Sequence, residues 1–105
     1  MGRNVVVMAK YEVQPTGQFK KDLKLAKKRG LDLNELFAVV GMLANDVELP
    51  EKHHNHLLYG DYTGYWECHI NPDWLLLYEK DIEIRVLSLY RTGSHADIFG
   101  KGKKR

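Results

Sequence analysis

The chain has a single cysteine, Cys68, among its 105 residues. One thiol has no internal partner, so no intrachain disulfide braces the fold, and the composition suits a reducing, cytoplasmic compartment. Long apolar runs are missing too. The stretch Val5-Val6-Val7-Met8-Ala9 is too short and too weakly flanked to be a signal-peptide core, and nothing is long enough to cross a membrane. There is no internal repeat and no low-complexity linker, which argues against a solenoid or a tethered multidomain protein. A chain of this length reads as one domain, residues 1–105, able to bury a core without metal or disulfide staples.

Charge is unevenly placed. Residues 1–30 carry eight Lys/Arg against two acids, residues 31–80 two against nine, and residues 81–105 six against three, so the net charge of +2 conceals basic ends around an acidic middle. Such a pattern suits a polyanionic partner, although a solvated basic helix and a basic tail would produce it as well. Met8-Ala9-Lys10 reads as a start before the first strand. Residues 1–7 are therefore expected to be an extension, with flexible ends at 1–9 and 100–105.

Periodicity supplies the elements. Tyr11 to Gln14 reads as a short strand. Thr16 caps a helix from Gly17, with Phe19, Leu23 and Ala26 as its apolar stripe and Lys20, Lys21, Lys24, Lys27 and Lys28 on its other faces, and Gly30 stops it. Asp32 and Glu35 have capping-box spacing, followed by Leu33, Leu36, Phe37, Val40 and Leu43 along one face of a second helix. Strands follow: a short one at Leu57-Leu58, Tyr65 to Ile70, Trp74 to Tyr78 after the Asn71-Pro72-Asp73 turn, and Ile82 to Tyr90, with a parity switch between Val86 and Leu87 that predicts a bulge. The predicted class is α+β, with two N-terminal helices packed on one face of a mainly antiparallel sheet of four or five strands. The other face stays partly open, and alternation directs Tyr65, Glu67 and His69 toward it.

Five histidines stand out: His53, His54, His56, His69 and His95. Zinc is disfavoured because the adjacent Cys68 and His69 face opposite sides of a strand and no second cysteine exists. For the same reason Cys68 reads as a packed thiol rather than a nucleophile. Acid–base work remains. RNA can be cut by its own 2′-hydroxyl if a protein supplies a base, an acid for the leaving 5′-oxygen and groups that stabilise the phosphate, and imidazole suits both proton transfers near neutral pH. His56, His69 and His95 occupy strand-end positions that can converge on the open face, whereas His53 and His54 read as ordinary surface or core histidines. Asp73 serves either the turn or an imidazolium. Trp74 serves the core, buttresses the site or stacks a base. Phe99 latches the C-terminus or stacks a base. Arg91 is a phosphate clamp or a strand-end charge.

The stretches "ECHINPDWLLLYEK" and "LYRTGSHADIF", with "TGQFKKDLKLAKKRG" and "HHNHLLYGDYTGYWECHI", resemble the YafQ-type branch of the RelE superfamily of bacterial toxins, from about Tyr11 to Phe99. The resemblance implies a microbial-RNase-like α+β fold and a ribosome-dependent mRNA endonuclease that works in the ribosomal A site. It also implies neutralisation by a cognate antitoxin, and with the zinc reading disfavoured no metal or other cofactor is expected. The family's site residues match His56, His69, Asp73, Trp74, His95 and Phe99. On this reading His56 is the general base and His95 the general acid, His69 and Arg91 stabilise the phosphorane, Asp73 tunes an imidazole, and the lysines of the first helix hold RNA backbone.

Two other readings use the same scaffold: a non-enzymatic gyrase inhibitor like the ParE-type toxins, and a plain RNA- or ribosome-binding module. The histidine set separates them, because binding alone would tolerate Lys or Arg at those positions. The nuclease reading requires His56, His69 and His95 to meet around one scissile linkage.

Overall fold

In the computed structural model, which describes residues 9–100, the chain runs strand, helix, helix, four strands and a short helix. The expected extension at 1–7 and the basic tail lie outside the described residues, as do the flexible ends apart from Ala9 and Gly100.

Strand β1 (Glu12–Pro15) passes directly into helix α1 (Gly17–Lys28). Thr16 makes the join. Its oxygen accepts from the Phe19 N–H at 3.0 Å while its O–H donates to the Tyr90 carbonyl at 3.0 Å, so one side chain caps the helix and pins it to the last strand. At the other end Gly30 takes φ +81°. Its N–H donates to the Lys27 carbonyl and the Leu31 N–H reaches back to Ala26, the double closure that a left-handed glycine permits.

Helix α2 (Leu33–Ala44) follows at once. The Asp32 carboxylate accepts from the Asn34 N–H, one residue short of the Glu35 N–H that a capping box uses. The buried arc is Leu36, Val39, Val40, Leu43 and Ala44, and Phe37, expected on that stripe, is 50% exposed. At 100° from Leu36, Phe37 falls just past Ala44 at one edge of the arc, and Val39 completes the arc on the opposite flank.

Strands β2 (His56–Leu57), β3 (Trp66–Asn71), β4 (Trp74–Asp81) and β5 (Val86–Gly93) complete a five-stranded sheet in the order β1-β5-β4-β3-β2. Only β1–β5 is parallel. This is the expected α+β fold. The last strand begins later than the sequence suggests. Ile82 and Ile84 are each 68% exposed in a turn whose Asp81 carboxylate accepts from the Glu83 and Ile84 N–H groups, with Arg85 at φ +58°. The bulge also lies further on than the parity switch implied: Leu77 pairs with Arg91 and Tyr78 with Leu89, which leaves Tyr90 as the extra residue.

The two faces of the sheet differ. The helix-covered face holds the main core, including Phe19, Leu36, Cys68, Trp74, Leu76 and Leu87. The other carries a smaller cluster of Leu75, Leu77 and Ile98, edged by Leu58, Tyr62, Tyr90 and Phe99. Part of that cover is helix α3 (His95–Phe99), which the sequence-based expectation lacked. Ser94 and Asp97 close a capping box at its start. Gly93 lets it pack close, since a Cβ there would lie 3.0 Å from Asp97 Cβ.

Candidate active site

Strand β3 sets the site by alternation. Cys68 and Ile70 enter the main core, and burial pushes the Cys68 thiol up to about 12, which makes it inert as a nucleophile. Glu67 and His69 face the smaller cluster, since they pair with Leu77 and Leu75. Strand β2 then places His56 opposite Glu67. The turn through Pro72 brings Asp73 to the rim, where its carboxylate lies 3.2 Å from His95 Nδ1 and 3.4 Å from the His95 backbone N–H.

Three distant parts of the chain thus meet. The ring centroids of His56 and His69 are 6.5 Å apart, and those of His69 and His95 5.8 Å. Their hydrogen bonds sort the nitrogens. His56 Nδ1 donates to the His54 carbonyl at 2.6 Å, which leaves Nε2 free, 3.8 Å from Glu67 Oε1. His95 Nδ1 faces Asp73, which leaves its Nε2 for proton transfer. His69 Nε2 lies 3.3 Å from Glu67 Oε2, so Nδ1 is its open nitrogen.

Burial pushes the pKa of His69 below the ordinary imidazole value. Glu67 pulls it upward, while His54, His95 and His56 add to the depression. Asp73 is held below the usual carboxylate range, chiefly by its hydrogen bond with the His95 side chain.

The other expected residues divide. Phe99 borders the site, half-buried, with its ring centroid 6.4 Å from His95 and 5.2 Å from Tyr62. Trp74 is 2% exposed in the main core, and its Nε1–H donates to Thr92 Oγ1 at 2.9 Å. It therefore supports the hairpin and has no free face on which a base could stack. Arg91 is no open phosphate clamp: its Nε and an Nη donate to the buried Asp22 carboxylate at 2.8 and 3.2 Å, which ties β5 to α1. Lys20, Lys21, Lys24, Lys27 and Lys28 are all exposed on α1, whose buried side joins the core across the sheet from the histidines. Between α1 and the rim runs a groove of about 500 Å³, bordered by Arg29, Asp73, Arg91, Ser94 and Asp97.

Two neighbours went unassigned in the sequence. Glu67, 5% exposed, sits behind His56 and His69; an acid alternating in register with His69 was the available signal. His54, read as an ordinary histidine, has its ring centroid 5.3 Å from that of His69. The case against metal rested on Cys68, yet Glu67, His69 and His95 offer three ligand atoms within 4.8 Å of one another, enough to hold a divalent cation.

The chain matches the family model for the bacterial toxin of type II toxin–antitoxin systems, YafQ, over residues 11–100. It is 38% identical over 94 residues to the mRNA interferase toxin YafQ of Escherichia coli strain K12, covering 89% of this chain and 100% of that relative. The crystal structure of the E. coli DinJ–YafQ toxin–antitoxin complex aligns with a TM-score of 0.78 at 38% identity, covering 87% of this chain and 99% of the other. A metal-bound toxin from Helicobacter pylori aligns with a TM-score of 0.80 at 39% identity, over 85% and 99% of the two chains. With its sheet, its helices and nearly all of its described length accounted for by these matches, the chain belongs to the YafQ family of toxins of bacterial type II toxin–antitoxin systems.

Proposed function

We propose that the protein is a cytoplasmic, ribosome-dependent mRNA endoribonuclease that cuts by attack of the RNA 2′-hydroxyl, with imidazoles moving the protons. The observation that carries this reading is the meeting of His56, His69 and His95 within two ring-to-ring steps of 6.5 and 5.8 Å, a span that one phosphodiester can bridge. The relatives named mRNA interferase support the substrate, and the DinJ–YafQ complex supports a cognate antitoxin as partner.

The roles follow from the surroundings. His69 takes the general-base role that the sequence assigned to His56, because burial favours its neutral form and Glu67 stands behind it to stabilise the imidazolium that forms. Its open Nδ1 accepts the 2′-hydroxyl proton. The 2′-oxygen then attacks phosphorus, the bond from phosphorus to the 5′-oxygen breaks, and His95, which enters the step protonated and oriented by Asp73 at Nδ1, gives its Nε2 proton to the leaving 5′-oxygen and ends neutral. His56 donates to the developing phosphorane when its Nε2 carries a second proton, with Nδ1–H still on the His54 carbonyl. The products are a 2′,3′-cyclic phosphate and a 5′-hydroxyl. The exposed lysines of α1 supply sequence-independent attraction for RNA backbone that weakens as salt rises, and the groove beside Asp73 holds the flanking nucleotide.

Catalysis in this scheme needs no metal. A cation held by Glu67, His69 and His95 would tie up the carboxylate behind the base and displace the proton that His95 must carry, so it would inhibit. Primer extension on a message, translated or free, with chelator and with added zinc, tests the whole reading. We expect discrete cuts within codons on translated message only, unchanged by chelator and suppressed by zinc. Intact message under translation would refute nuclease activity and leave the gyrase or binding readings. Loss of cutting with a zinc-selective chelator that leaves the ribosomal magnesium in place, with translation intact, would make the metal a cofactor.

A further inference from the structure

The histidine-rich segment contains two imidazoles that the scheme above leaves idle, His53 and His54, and of these only His53 is buried. His53 is 8% exposed, the most buried of the five histidines, and closes a single 3-10 turn over Glu51–His53. Its Nδ1 lies 2.7 Å from the backbone carbonyl oxygen of His69. A carbonyl only accepts, so the ring hydrogen sits on Nδ1 and is donated to strand β3.

The need for that donor follows from the register. Strand β2 pairs His56 with Glu67 and Leu57 with Trp66 and reaches no further. Continued backwards in the same antiparallel register it would set His54 opposite His69. It cannot continue, because His54 is in the left-handed region at φ +47° and turns the chain away. The edge of β3 therefore loses its strand partner at the residue that bears the central imidazole, and the β3–β4 ladder is itself irregular between His69 and Asn71. The His53 ring stands in for the missing backbone N–H. Asn55 secures the same segment, its Oδ1 accepting from Tyr78 O–H at 2.6 Å. Residues 53 and 55 thus fasten the segment to the sheet, while His54 and His56 face the site. The turn chemistry of the "HHNH" run divides its imidazoles between anchoring and chemistry.

The geometry points to His53 as a positioning residue for the proposed nuclease reaction: by holding the His69 carbonyl it fixes the His69 ring between Glu67, His56 and His95. The inference rests on the nuclease reading. It is tested by a measurement that does not need activity, so that failure of one is distinguishable from failure of the other.

Three variants are compared with wild type: His53→Leu removes the donor, His53→Asn places an amide N–H where Nδ1 was, and His53→Gln places one where Nε2 was. Each is followed by NMR titration of the His69 ring and by cleavage on programmed ribosomes, separating the rate at saturating toxin from the half-saturating concentration. Misplacing a reacting group by about 1 Å costs up to ~100-fold. We expect His53→Leu and His53→Gln to lose roughly 10-fold or more in saturated rate with little change in half-saturation. His69 should titrate closer to the ordinary imidazole value in both, since a loosened ring gains water while Glu67, His54, His56 and His95 remain around it. His53→Asn should restore both readouts. A wild-type His69 titration in His53→Gln, or a His53→Asn as impaired as His53→Gln, overturns the assignment. If His53→Leu does not fold, the Asn and Gln pair decides, since both are polar and differ only in where the donor sits. An inactive wild type in which His69 still responds to these substitutions would refute the nuclease reading and leave the anchoring role standing.

Discussion

Neighbouring residues on β3 show how differently the two faces of one sheet are used. Cys68 has no exposure, faces the helices, and has its thiol pushed up to about 12 by burial. His69, one residue on, is half-buried on the other face and is held toward its neutral form by the same physical cause, yet it has a carboxylate at 3.3 Å and three further imidazoles within ring-contact range. Burial alone silences a titratable group. Partial burial with charged neighbours tunes one. The helix face is apolar and closed, and its few polar groups, such as Asp22 and Thr92, are bonded to one another and to Arg91 and Trp74. The histidine face has a small apolar floor of Leu75, Leu77 and Ile98 with polar groups gathered at its rim. The first face makes the sheet rigid, and the second uses that rigidity to hold reacting groups.

If the faces are divided in this way, substitutions should sort by readout. The largest effect belongs to His95→Ala. Its side chain is half exposed and contributes little to packing, so cleavage on translated message should fall by roughly 10²–10⁴ while stability changes by less than about 0.5 kcal/mol. A loss of stability as marked as the loss of cutting would show that His95 is structural and would break the division. Trp74 is the converse. Trp74→Ala should cost about 3–5 kcal/mol of unfolding free energy in a urea titration, as large-to-small changes in cores do. Trp74→Phe, which keeps a ring but loses the 2.9 Å bond to Thr92, should cost about 1 kcal/mol and leave cleavage unchanged. A Trp74→Phe variant of normal stability that no longer cuts would place Trp74 on the RNA after all.

Much of this division was legible in the sequence, for local reasons. Alternation over residues 65–70 separates Cys68 from His69, Pro72 with its flanking Asn71 and Asp73 dictates the turn, and Thr16 and Gly30 bound the first helix because each satisfies a backbone group that the helix cannot. What stayed hidden depends on contacts between distant segments. Asp22 reads as part of a charged helix face, and nothing nearby in sequence shows that Arg91, 69 residues away, meets it. Glu67 is an unremarkable acid until β2 and β3 pair and bring His56 across from it. Phe37 fits a helical stripe by spacing, but the width of the arc that the sheet covers is a tertiary quantity. Helix α3 escaped because five residues are too few for periodicity, although Ser94 and Asp97 carried its cap in plain view.

The smallest expected effect probes a contact that ties the two faces together. Arg29, at the end of α1, holds the Asp97 carboxylate at 2.7 and 3.3 Å, and Asp97 in turn caps the helix that carries His95. The hydrogen bond with Arg29 is the largest cause that keeps Asp97 at about 2, with bonds to Ser94 adding to it and burial opposing. A carboxylate depressed in the folded state stabilises the fold fully above its ordinary, unfolded value; that contribution is lost as pH falls from near 4 toward about 2. Arg29→Met should therefore raise the Asp97 midpoint in a carboxyl NMR titration and move the onset of acid unfolding to higher pH. The Ser94 bonds remain, so the midpoint should stop short of the ordinary value. Cleavage at neutral pH should hardly change, because Ile98 in the smaller core and the capping box still seat α3. If cleavage instead falls as far in Arg29→Met as in His95→Ala, the seat of α3 depends on α1, and the histidine face cannot be treated as separate from the face that the helices cover.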